Sequence, residues 1–96
     1  MFTWINTQGV KAEEGFILQS MHQYYYHYIE NEHVMQIIVE PFIDKKGDYL
    51  ESVEASSFEK WQPPFESEIV SDKKKEELKK RVSEALKFMK IRHRFI

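Results

Sequence analysis

The feature that most constrains this chain is a change of period at Gln62-Pro63-Pro64. Before it, apolar residues recur at every second position, the spacing of a strand with one buried face. After it they recur every three to four positions, the spacing of an amphipathic helix. A prolyl pair imposes an extended exit and removes backbone donors, so the two patterns belong to separate elements.

The helical half is simple. Ser71 is a good N-cap, and Asp72 places negative charge where the helix dipole favours it. Leu78, Val82, Ala85, Leu86 and Met89 then share one stripe, with Phe88 at its margin and Lys80, Ser83, Glu84 and Lys87 opposite. No glycine or proline interrupts, and the pattern predicts a helix over 71–90.

The first half predicts strands. Residues 2–7 (FTWINT) read as an opening strand, Gln8-Gly9 as a turn, and 10–14 as a short strand ended by Gly15. Residues 16–30 are too long for one strand, so we expect strands near 16–20 and 23–30 with a bend or bulge at 21–23. There Tyr24, Tyr26 and Tyr28 fall on one face and Tyr25, His27 and Ile29 on the other. Glu30-Asn31-Glu32 reads as a tight hairpin loop. Residues 34–42 form the best strand, with Met35, Ile37 and Val39 on an apolar face, Val34, Gln36, Ile38 and Glu40 on a mixed one, and Pro41 marking an edge or an end. A second polar loop at 44–48 puts Gly47 at a positive-φ position. A strand follows at 49–55, interrupted at Ser56-Ser57 and extended at 58–61. Residues 91–96 alternate and read as a final short strand or a frayed tail.

The expected fold class is therefore α+β: a twisted antiparallel sheet of about five to six strands, with one long C-terminal helix packed on one face and a short final strand. The chain reads as a single domain, 1–96, with sheet 1–61, an extended connection 62–70, helix 71–90 and tail strand 91–96. Fourteen Phe, Tyr and Trp residues can supply a core, and the absence of cysteine fits a reducing compartment. The N-terminus lacks the basic and apolar regions of a signal peptide, and no apolar run reaches a membrane span of about 18 residues. These features predict a cytoplasmic protein without a membrane partner.

The net charge of −2 hides an asymmetry. Residues 1–70 carry four lysines against twelve acids, net −8, and residues 71–96 carry ten Lys and Arg against four acids, net +6. Either the helix and the sheet attract each other, or one face steers an oppositely charged partner.

Chemistry is hard to place. There is no cysteine nucleophile, no GxSxG and no glycine-rich phosphate loop, since Gly9, Gly15 and Gly47 are scattered. His22, His27, His33 and His93 lack zinc-ligand spacing, so no metal and no cofactor is expected. Glu51, Glu54, Glu59, Glu66 and Glu68 supply carboxylates, but a glycosidase also needs a sugar-sized cleft, and no enzymatic activity is expected. Stacking of bases on the tyrosines is disfavoured by the acidic sheet, which repels phosphate. A nucleic-acid binder would have to use Lys73, Lys74, Lys75, Lys79, Lys80 and Arg81.

Protein binding remains. Tyr24, Tyr26 and Tyr28 are either cross-strand core packing or an exposed aromatic patch. Trp61 is either a core anchor at a chain turn or, with the acidic Glu66 and Glu68 that follow, part of a partner-binding surface. A homodimer through an edge strand is a further expectation.

The order of features resembles the small immunity-protein families of bacterial polymorphic toxin systems. It comprises Trp4 in an opening strand, Tyr28 before the Glu30–Glu32 hairpin, and an apolar strand ending in Val39-Glu40. Trp61-Gln62-Pro63-Pro64, Ile69-Val70-Ser71-Asp72 and a helix ending in Ala85-Leu86-Lys87-Phe88 complete it. The resemblance spans nearly the whole chain, while the tyrosine run and Lys73-Lys74-Lys75 lie outside it. It implies a compact α+β cytoplasmic protein that binds and neutralises a cognate toxin, and it maps no binding residue. For a basic nuclease toxin, acidic residues would speed association. The alternative is a generic adaptor for another protein.

Overall fold

The computed structural model describes residues 1–96. Seven strands form one open sheet whose spatial order repeats the chain order: β1 (Phe2–Asn6), β2 (Gly9–Ala12), β3 (Ile17–His22), β4 (Tyr25–Glu30), β5 (His33–Ile43), β6 (Tyr49–Val53) and β7 (His93–Phe95). Helix α1 (Asp72–Phe88) lies between β6 and β7 in sequence. Five successive pairings are antiparallel, as short loops require, and β7 joins β6 in parallel because the chain crosses over through α1 first. The sheet is thus mixed and seven-stranded, where the sequence predicts five to six antiparallel strands.

Local chemistry sets the turns. Asn31 and Glu32 both take positive φ, 45° and 68°, the paired left-handed geometry of a type I′ hairpin between β4 and β5. Asp44 accepts hydrogen bonds from the backbone N–H of Lys46 and Asp48, and Gly47 supplies φ 85°, closing the β5–β6 hairpin. An extra residue at Met21 shifts the β3–β4 register between Ser20 and His22, where the sequence places a bulge.

The expected strand at 58–61 does not form. Ala55–Glu59 is a 3₁₀ turn, because the Ser57 hydroxyl and N–H both donate to the Glu54 carbonyl. That turn swings Phe58 into the core instead of leaving it on a strand.

Strand β5 holds the sheet together. Its first half pairs with β4 and its second half with β6. Pro41 lies beyond the end of β4, and its missing N–H costs no ladder bond. Leu18, Tyr28 and Met35 form one cross-strand row on the buried face, and Tyr26 and Ile37 form the next. Leu78, Val82, Ala85 and Leu86 of α1 close over these rows, and Phe58, Trp61 and Val70 seal the side.

Ser71 Oγ accepts from Lys74 N–H at 3.1 Å, as its capping position predicts. At the other end Lys90 takes φ 62°, and the N–H groups of Lys90 and Ile91 donate to the carbonyls of Lys87 and Leu86. This left-handed cap stops the helix at Phe88, two residues short of the expected end.

Candidate protein-binding surfaces

Three of the six candidate residues lie in the core. Tyr26, Tyr28 and Trp61 are buried, so they present no surface to a partner. Their period-2 pattern is the pattern of packing, and their polar atoms have internal partners. The Tyr26 hydroxyl donates to Glu51 Oε1 at 2.8 Å, and Tyr49 donates to the other oxygen of the same carboxylate at 3.0 Å. The Tyr28 hydroxyl donates to Glu30 at 2.5 Å and accepts from Arg81 Nη1 at 3.0 Å. Burial first, and the acceptor carboxylate second, push both phenols above their ordinary range. Tyr24 is not buried with them: it sits in the turn ahead of β4, half exposed, beside the ring of His22.

Glu30 anchors the helix to the sheet. Its carboxylate receives Lys74 Nζ at 2.7 Å and Arg81 Nη1 at 3.1 Å, besides the Tyr28 hydroxyl. Burial alone would raise the Glu30 carboxyl, but the hydrogen bonds from Lys74 and Tyr28, with the charges of Lys74 and Arg81, bring it below the usual carboxylate range. Lys75 pairs with Glu59, and Arg92 with Asp44 and Asp48. Much of the −8/+6 asymmetry is therefore internal attraction between helix, tail and sheet. The outer stripe of α1 alternates in sign through Lys73, Glu76, Lys80, Glu84 and Lys87, all exposed, and it forms no continuous basic track.

The most exposed feature near the remaining candidates is the connection over residues 62–70. His33 pins it. The imidazole stacks on Phe65 at a centroid distance of 3.8 Å and meets the edge of Trp61 at 5.0 Å. Its Nδ1 lies 2.9 Å from the Asn31 carbonyl and its Nε2 3.0 Å from Glu68 Oε1. An imidazolium, with two N–H donors, would serve both acceptors. The Asn31 carbonyl, and then Glu68 against some desolvation, raise the His33 pKa. Gln62 N–H donates to the Val34 carbonyl, and Val70 is buried at the far end. Between these anchors Glu66 and Ile69 face solvent; Glu66 has no ion-pair partner, and Ile69 is 93% exposed. Sequence reasoning finds the two glutamates but misses Ile69, because a lone apolar residue before a helix cap carries no period. It also misses His33, whose role depends on contacts across some thirty residues of chain.

The remaining groups do not converge. Glu51, Glu59 and Glu68 go to separate partners, and no group of three His, Asp or Glu side chains is placed to hold a metal ion. No helix is long and apolar enough to cross a membrane. Comparison with family models, with curated proteins and with solved structures finds no match.

Proposed function

We propose that this chain is a non-enzymatic protein-binding domain, an immunity protein that binds and neutralises a cognate bacterial toxin. The observation that carries the reading is the pinned connection at 62–70, which presents a free Glu66, a half-exposed Glu68 and a fully exposed Ile69. An exposed branched apolar side chain beside carboxylates fits a partner surface that is basic around a small apolar pocket. The anchors at His33, Gln62 and Val70 hold the segment before binding, so little ordering entropy is lost on association. The acidic side chains accelerate encounter with a cationic partner, and Ile69 lengthens residence once docked.

Glu66→Lys separates this reading from a generic surface, since Glu66 makes no internal contact that the fold needs. Association with the purified partner should slow by about tenfold at low ionic strength, and the difference should shrink as salt screens the charges. Equal association rates at low salt would remove the steering role. Ile69→Ala should raise the dissociation rate while leaving association unchanged.

A further inference from the structure

The two ends of the sheet are not protected alike. At one end β7 is three residues long and carries Arg94, with Arg92 just before it. At the other end β1, FTWIN, contains no charge and no proline. Its Trp4 and Ile5 are 48% and 46% exposed. Glu13 N–H donates to the Met1 carbonyl, which sets the alternation along the strand: Met1 and Thr3 bond toward β2, while Phe2 and Trp4 turn their N–H and C=O groups to the open edge. Exposed edges are normally blunted by lysine, proline, bulges or brevity. The one such device here is an extra residue at Ile5, which breaks register between Trp4 and Asn6 and leaves Phe2–Trp4 in regular register with β2.

We propose that β1 is a self-pairing edge, onto which a second copy of this chain adds antiparallel about a two-fold axis through Thr3. The strand is its own complement in that register. Phe2 lies opposite the partner's Trp4, and Trp4 opposite the partner's Phe2, so the outward backbone groups of both residues exchange hydrogen bonds across the axis. Met1, 90% exposed, falls opposite the partner's Ile5. Phe2 and Trp4 already rest on Phe88 at 5.5 and 5.8 Å, so the pairing fuses two aromatic clusters. No like charges meet: β1 has none, and the N-terminal ammonium lies 3.6 Å from Glu13. The two seven-stranded sheets become one continuous sheet. The 62–70 connection takes no part, so this pairing stands or falls independently of the toxin-binding reading.

The test is sedimentation equilibrium of the full chain over a wide concentration range. The wild type should form a reversible dimer with Kd in about the micromolar range, as suits an interface this small. Thr3 sits on the axis as a non-hydrogen-bonded pair, with Cα atoms about 4.5 Å apart. Thr3→Lys and Thr3→Glu should each weaken the dimer by about threefold to fivefold, roughly what one like-charge pair costs at such a site, and an equal mixture of the two should restore it. A wild type that stays monomeric throughout overturns the proposal, as does a dimer whose Kd neither variant changes. Circular dichroism checks that both variants fold. Thr3→Cys supplies a readout that needs neither charge: it would be the chain's only cysteine, and mild oxidation should link two chains across the axis. Absence of that link at concentrations where the wild type dimerises overturns the register.

Discussion

Removing the Glu30 carboxylate should be the most damaging single charge deletion in this fold. Glu30→Ala leaves Lys74 and Arg81 without their shared acceptor and the buried Tyr28 hydroxyl without the oxygen to which it donates. Breaking a buried ion pair from one side commonly costs about 3–5 kcal/mol, most of it from the charge left behind. The expected loss here is smaller, because Glu77 Oε1 stands 3.0 Å from both cations and keeps them partly neutralised. A loss of about 2 kcal/mol follows, which in a domain of this size lowers Tm by roughly 8–16 °C. Urea unfolding followed by circular dichroism measures it directly. Glu77→Ala, at a more exposed site, should cost about 0.5 kcal/mol. The pH dependence has a definite sign. The folded pKa of Glu30 lies below its ordinary 4.5, so its contribution is present above that value and is lost as pH falls through the folded pKa. Glu30→Gln should flatten that part of the acid limb. A loss under about 0.5 kcal/mol for Glu30→Ala would show instead that Glu77 and solvent replace Glu30.

Other outcomes can be measured in the same way. Glu32→Gly and Lys90→Gly each relieve a left-handed backbone position held by a side-chain residue, and each should stabilise the fold by about 0.5–1 kcal/mol. Ser71→Ala removes the acceptor for Lys74 N–H and should cost about 1 kcal/mol in urea unfolding. His33 should titrate above its ordinary 6.5 by NMR, so its stabilisation of the 62–70 connection is full below that value and is lost as pH rises through the folded pKa. Glu68→Gln should lower that midpoint without restoring the ordinary value, because the Asn31 carbonyl still accepts from Nδ1.

Much of this fold was legible because strong local signals agreed with one another. The alternation of Met35, Ile37 and Val39 against Val34, Gln36 and Ile38 gave β5 and its buried face. Ser71 with Asp72 gave the helix start, and the Asn31 and Gly47 turns appeared where left-handed backbone was expected. The misses arose from contacts between distant residues. Nothing local says that 93–95 will lie parallel to β6; that follows from the route the helix takes over the sheet. The 3₁₀ turn at Ala55–Glu59 depends on one serine competing with a strand ladder. The candidate site was legible only in part. Alternating tyrosines look the same whether they face solvent or core, and here Tyr26 and Tyr28 face α1. Tyr24 falls in the turn before β4 and is half exposed. The acids at 66 and 68 were visible in the sequence, but the ring stack of His33 on Phe65 that fixes them was not.

In the proposed function, the 62–70 connection binds and silences a toxic partner. The direct measurement is co-expression of this chain with a candidate partner that arrests growth when expressed alone, with a photo-crosslinking residue at position 69. Growth should be restored, a one-to-one complex should cross-link through position 69, and Glu66→Lys together with Ile69→Glu should abolish the rescue while the chain stays folded. Rescue that survives those two substitutions, or rescue with no cross-link through position 69, would contradict it.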